Sequence, residues 1–116
     1  MNTRKAILVY QYSEKIKSEL IIAFKLLAKM NTFKGAERKG AEELMHSFLE
    51  GLLGEIRIAQ GTEKSDSLLK AEEKVIEAIG KIYEFSEISL SISEALSAIT
   101  TSCQRSMEEL ENKNLL

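Results

Sequence analysis

Apolar residues recur at steps of three and four along most of this chain, which places them on one face of an α-helix. A strand would need strict alternation, and the alternating span at residues 88–93 has no second strand to pair with. The clearest helical pattern comes first, at Val9, Tyr12, Ile16, Leu20, Ala23, Leu27 and Met30. We therefore predict an all-α protein, folded as an antiparallel up-down bundle of three or four long helices.

Turn-prone residues separate the first two predicted helices. The first is expected to run from about Thr3 to Met30, because residues 31–35 combine Asn, Thr and Gly and break the pattern. The second is expected to begin between Ala36 and Ala41 and to end at Gln60, with Gly61 just past its end. Its predicted apolar stripe is Leu44, Met45, Phe48, Leu49, Leu52, Leu53, Ile56 and Ala59.

A serine-rich span decides between three helices and four. The third helix should begin where Ser65 or Asp66 caps it. Ser91 and Glu94 then have the spacing of a capping box, which favours a new helix start and a turn at residues 89–91. The alternative is one very long third helix, because the apolar residues keep helical phase through this span. We predict the turn, and hence four helices.

Two features suggest more helix contact than one small core provides. The first helix is apolar on two sides between Leu20 and Leu27, as expected of a helix buried centrally or against a second subunit. The second helix has small residues at helical spacing: Gly40, Ser47, Gly51 and Gly54. A mid-helix glycine costs about 1 kcal/mol relative to alanine, so we expect these positions to permit close approach of another helix. Marginal helicity is the alternative.

Composition narrows the class of protein. A chain of 116 residues fits a single domain, 1–116. It is 44% hydrophobic and 29% charged, which is ordinary for a globular protein, and no stretch approaches the ~20 apolar residues of a membrane span. Its 16 basic and 18 acidic residues are interspersed, for a net charge of −2. The lack of a basic block argues against nucleic-acid binding.

Cysteine usage and the start of the chain bear on localisation. A single cysteine, Cys103, excludes an internal disulfide and favours the reducing cytoplasm. The apolar run after Lys5 stops at Gln11, too early for a signal peptide. Glu and Lys carry most of the charge and proline is absent, a composition like that of thermophile helical proteins.

The most specific chemical pattern surrounds the only histidine. Glu43 stands three residues before His46 and Glu50 four after it, so all three share a helical face and form a candidate metal site. Glu43-Leu44-Met45-His46 resembles the Glu-x-x-His motif of ferritin-like proteins, which use two such motifs and two further glutamates to bind a metal pair. The resemblance implies a two-fold homodimer, with Glu14 or Glu19 as the remaining ligand. An ordinary solvated face is the alternative.

Two other chemical sites deserve comparison with that motif. Glutamates of the second helix could face those of the third and bind Mg²⁺, as in all-α nucleotide pyrophosphohydrolases. The residues concerned are Glu42, Glu43 and Glu50, and Glu72, Glu73 and Glu77. Cys103 lies in an apolar stripe far from the histidine in sequence, so it is expected to be a buried small side chain rather than a nucleophile.

The functional prediction therefore depends on the pattern of apolar and small residues along the first two helices. We predict a self-associating interaction or structural module without catalytic activity, most simply a homodimer. The dimeric ferritin-like metal protein is the first alternative, and the Mg²⁺-dependent pyrophosphohydrolase-like protein is the second.

Overall fold

A computed structural model describes residues 2–115, which form four α-helices and no strand. The helices are α1 (Thr3–Met30), α2 (Gly35–Thr62), α3 (Asp66–Gly80) and α4 (Phe85–Asn112). The all-α prediction is confirmed, and so are four helices. None of these helices is both long enough and apolar enough to cross a membrane within the described range.

Local capping explains where the helices begin. The Asn2 side chain accepts a hydrogen bond from the Lys5 amide at 2.8 Å and caps α1. Ser65 accepts from the Leu68 amide at 3.1 Å and caps α3 as predicted. Gly35 has φ of +61°, a left-handed conformation that favours glycine, and it lets the chain reverse tightly into α2. α2 continues to Thr62, so Gly61 is helical and the predicted end at Gln60 is two residues early.

The helices form an up-down bundle in chain order. α1 packs against α2 and α4, and α3 packs against the same two helices, whereas the diagonal pairs make no contact. Ser13 and Ser102 hydrogen bond at 2.9 Å across the buried α1–α4 contact. The bundle is 53 Å long and 22 × 17 Å across. α2 and α4 are therefore diagonal neighbours with opposite outer surfaces.

One row of each helix faces the core. In α2 this row is the inner α2 face, defined as Met45, Leu49, Leu52, Ile56 and Ala59. Its spacing of four and three residues is the repeat that keeps one side of a helix against its neighbours. Leu49 and Ile56 are completely buried, and full burial of such a side chain contributes about 1.5–3 kcal/mol. The core is therefore built from the residue pattern that predicted the helices.

The third turn lies earlier than predicted. The chain reverses at residues 81–84, between α3 and α4, and not at residues 89–91. Ile88 and Ile92 are fully buried in the first turns of α4, so the helical phase seen in the sequence there is real. Ser91 is buried within α4 and donates to Glu77 of α3 at 3.4 Å instead of capping a helix. Ser91 is thus part of a helix–helix contact.

Candidate functional site

The residues of the predicted metal site lie on the edge of α2 that faces α3. His46 Nδ1 is 3.1 Å from Glu50 Oε1, and both side chains are roughly half exposed. Glu43 and His46 line a cleft of about 250 Å³ together with Ile82 and Tyr83. Among residues 2–115, no group of three His, Cys, Asp or Glu side chains is placed to hold a metal ion. A site shared between two chains stays a prediction.

The glutamates of α1 that were expected to complete this site contact other partners. Glu14 Oε1 accepts a hydrogen bond from Cys103 Sγ at 2.9 Å. Glu19 lies between α1 and α2, 3.9 Å from Lys15 Nζ. Neither is hydrogen bonded to His46 or Glu50.

Acidic residues of α2 and α3 are paired with cations instead of with one another. An Mg²⁺ site of the pyrophosphohydrolase kind would need several carboxylates to converge without a neutralising side chain. The ion pairs are Arg38–Glu42 at 3.3 Å, Arg57–Glu72 at 3.7 Å and Lys74–Glu77 at 3.1 Å. Within the described residues, Glu42, Glu72 and Glu77 of the predicted acidic sets therefore act as partners for Lys and Arg.

Cys103 is buried in the α1–α4 contact, as its position in an apolar stripe indicated. Burial, together with the hydrogen bond to Glu14, raises the pKa of its thiol to about 12. A thiol needs a lowered pKa to act as a nucleophile near neutral pH. Cys103 is therefore a protonated structural side chain.

A small ionic cluster joins α1 to α2. Lys15 Nζ donates to Glu55 Oε1 at 2.8 Å, and Glu19 lies beside the same pair. Burial raises the pKa of Glu19, and a hydrogen bond with Glu55 raises it further. Two neighbouring carboxylates share one lysine here, so the stability of this contact depends on pH.

The outward side of α2 is the largest surface without charge that the helix presents. This outer α2 face is defined as Gly40, Leu44, Ser47, Gly51, Gly54, Ile58 and Gly61, all of them exposed. Leu44 is 74% exposed and Ile58 is 56% exposed. The sequence pattern had placed Leu44 in the core, which is wrong, because Met45 holds the core position and a helix turns about 100° per residue.

The glycines of this face have no neighbour within the subunit. A Cβ atom built on Gly51 or Gly54 meets no atom within 4 Å, and the same holds at Gly40 and Gly61. The close approach of another helix that was expected at these positions therefore does not occur within the subunit. The helix runs unbroken through all of them.

An apolar cavity borders the outer α2 face on its α1 side. This α1–α2 groove has a volume of about 350 Å³ and is lined by Leu26, Met30, Phe33, Ala41, Leu44 and Phe48, with Lys29 and Met45. Lys29 is its only charged residue, and its Nζ lies 5.9 Å from the centre of the Phe33 ring. The apolar surface of α2 therefore continues onto α1.

Charged residues follow the opposite margin of the outer α2 face at steps of seven. This charged edge is defined as Glu43, Glu50, Arg57 and Lys64, all exposed, with Lys64 just past the helix end. A seven-residue step keeps side chains on one line of a helix in a coiled-coil arrangement. The line thus runs from two negative charges to two positive ones.

The exposed apolar side chains of α3 do not form a comparable surface. Leu69 and Ile76 of α3 are each nearly half exposed. Glu73 lies between them on the same side of the helix, and Lys70 is adjacent. Charged residues therefore interrupt the α3 surface, whereas the outer α2 face has none.

Comparisons with protein-family models, curated proteins and solved structures returned no match to this chain. The surface of the molecule is consequently the basis for assigning a function.

Sequence reasoning identified four of the seven residues of the outer α2 face and missed its continuity. Leu44 was assigned to the core and Ile58 to no surface, although both continue the spacing of the glycines. The charged edge was also missed. Counting at steps of seven from Glu43 finds it directly, because that step follows one line of a helix.

Proposed function

We propose that this protein is a self-associating structural or interaction module, and that the outer α2 face and the α1–α2 groove join two copies of the chain. The observation that carries the proposal is the uncharged outer α2 face, exposed along the whole length from Gly40 to Gly61. Soluble monomers rarely expose contiguous apolar surface of this kind, and interaction sites commonly do.

The dimensions of this surface fit a small homodimer. Residues 40–61 span roughly 32 Å of helix at 1.5 Å per residue, and the groove widens the surface to about two helix diameters. That gives roughly 600 Å² per subunit, near the lower end of specific interfaces. We therefore expect association in the micromolar range, which requires measurement over a wide range of concentration.

Small residues on this surface support a helix as the partner. With no side chain at Gly51 or Gly54, a second helix approaches the α2 backbone closely and makes dense van der Waals contact. The open space above each glycine supports this interpretation. Each of these glycines also lowers helix stability by about 1 kcal/mol relative to alanine, a cost that a helix contact would offset.

Sedimentation equilibrium from roughly 1 µM to 1 mM is the direct test, since this range covers free energies of association of about −8 to −4 kcal/mol. We expect a reversible increase in mass from the 13.0 kDa chain to its dimer. A mass that stays at the monomer value throughout the range contradicts the proposal.

Ser47→Arg provides the specific variant and Ser93→Arg its matched control. Both serines are exposed, but Ser47 lies on the outer α2 face and Ser93 on α4, which does not contact α2. A buried, unpaired arginine is costly, so Ser47→Arg should yield a monomer at concentrations where Ser93→Arg is dimeric. Equal association of the two variants would show that another surface is used.

A further inference from the structure

We infer that the two copies pair their α2 helices antiparallel, with the two-fold axis passing between Gly51 and Gly54. This inference rests on the proposed self-association and specifies its geometry. It follows from three independent features: the charged edge, the order of large and small residues on the outer α2 face, and the position of the α1–α2 groove.

The charged edge favours the antiparallel orientation. In an antiparallel pair related by a two-fold axis, the same edge of both helices meets, running in opposite directions. Glu50 then lies opposite Arg57 of the partner subunit, and Glu43 lies opposite the partner's Lys64. The midpoint of both pairs falls between residues 53 and 54, so a single register satisfies all four contacts. Charges flanking a helix seam are known to set its orientation and partner choice.

Residue size along the outer α2 face selects nearly the same register. Counted from the midpoint between Gly51 and Gly54, Ser47 and Ile58 are equally distant on opposite sides, and so are Leu44 and Gly61. The antiparallel pair therefore places each large side chain against a small one of the partner. Its midpoint differs by one residue, about 1.5 Å along the helix, from that of the charged edge.

A parallel pair lacks both features. It would place Leu44 against Leu44 of the partner subunit, and each glycine against the same glycine. The large side chains would then hold the two helices apart, and voids would remain at the glycines. Voids forfeit the dispersion contacts that close packing supplies. It would also bring the charged edge against the other margin of the partner helix, which carries Ala41, Phe48 and Glu55. Glu55 already accepts a hydrogen bond from Lys15 of its own subunit, so this margin offers no set of opposite charges that matches the charged edge.

The groove has a defined occupant in the antiparallel pair. Ile58 of the partner subunit lies opposite Ser47, where Leu44 and Phe48 form the adjoining wall of the α1–α2 groove. Ile58 and Leu44 are fourteen residues apart, two heptads, so both lean toward the α1 side of their helix. The groove therefore receives an aliphatic side chain at its Phe48 end, a knob-into-hole contact between subunits.

Disulfide trapping with Ser47→Cys, Ile58→Cys and the double variant tests the orientation. In the antiparallel pair, Ser47 and the partner's Ser47 are eleven residues apart along the axis, roughly 16 Å, and a disulfide needs Cα atoms within about 7 Å. We expect the double variant to form a covalent dimer on oxidation with diamide and neither single variant to do so. The native chain is the control, because its only thiol is the buried Cys103.

The outcomes separate this inference from the proposed function. A single variant that links to itself indicates a parallel pair, and absence of any link in a protein that sediments as a dimer indicates another register. Either result overturns the inference and leaves self-association standing. A protein that sediments as a monomer overturns both.

A charge exchange provides a second measurement that leaves Ile58 intact. Glu50→Arg alone should weaken dimerisation about tenfold, because each of the two contacts between Glu50 and Arg57 changes from attraction to repulsion. Adding Arg57→Glu in the same chain should restore it, since the opposite pairs re-form with their signs exchanged. Failure of the double variant to recover overturns the antiparallel register.

Discussion

The two uncharged sides of α2 have the same residue spacing, but only one of them is buried within the subunit. Both the inner α2 face and the outer α2 face follow steps of four and three, and both are free of charge. The inner face is buried against α1 and α3, whereas the outer face is exposed and its glycines have no neighbour within 4 Å. An apolar helical pattern therefore predicts that a face is buried, but it does not tell whether the partner is another helix of the same subunit or a second molecule.

The largest effect should come from the inner face. Leu49→Ala removes a fully buried side chain and should lower the free energy of unfolding by about 2–5 kcal/mol, because a cavity remains in the core. Leu44→Ala, the matched change on the outer face, should alter subunit stability by less than about 0.5 kcal/mol. Urea unfolding at low protein concentration measures both. A similar loss in the two variants would contradict the distinction between the faces.

Combined replacement of the glycines should separate folding from association. Gly51→Ala with Gly54→Ala should raise the free energy of unfolding of the subunit by about 1 kcal/mol per site, because alanine is the better helix former and its Cβ meets no atom. The same variant should dimerise less tightly, since the methyl groups stand between the helices. Gly80→Ala, at the end of α3, is the control that should not affect association. A stabilised subunit with unchanged dimerisation would show that the glycines are not at the interface.

Leu44→Ala should also weaken dimerisation, and by less than Ser47→Arg does. Burial of a leucine at a partial interface contributes about 1–2 kcal/mol per contact, so we expect roughly a tenfold or greater rise in the dissociation constant. Leu69→Ala on α3 is the matched control, because Leu69 is exposed on a surface interrupted by charge. If Leu69→Ala has the larger effect, the subunits associate through α3.

The smallest effect should be a pH dependence at the α1–α2 contact. Burial raises the pKa of Glu19 above its ordinary value of 4.5, so the folded protein holds this proton more tightly than the unfolded chain. Its contribution to stability is full below the unfolded pKa and is lost as pH rises through the folded pKa. Glu19→Gln should therefore gain stability relative to the native chain as pH rises above 4.5. Parallel stability profiles of the two proteins would contradict this.

Much of the fold could be predicted from the sequence. The bounds of α1 and the Ser65 cap follow from local rules, because a cap needs only a side-chain oxygen three residues before a free amide. The turn before α4 could not be placed that way. Ser91 and Glu94 have the spacing of a capping box, but Ser91 lies inside the bundle, where a contact with Glu77 occupies its hydroxyl.

The candidate site was predicted less well than the fold. The sequence directed attention to Glu43, His46 and Glu50 as metal ligands, and that prediction stays untested for a pair of chains. It also singled out the glycines of α2 as positions for the close approach of another helix, without specifying which molecule supplies that helix. Leu44 and Ile58 were missed as members of the outer α2 face, because small residues and large apolar residues were treated as separate features of the sequence. Only the structure shows that both lie on one exposed surface.

The sequence by itself determined that this protein is helical and where most of its helices begin and end, because period and capping act over a few residues. Only the tertiary structure decided which of the two uncharged rows of α2 became the core. Both rows satisfy the same local rule, and the choice depends on which side the neighbouring helices pack against. Large side chains at Leu49 and Ile56 fill the space between four helices, and the row with glycines remains outside.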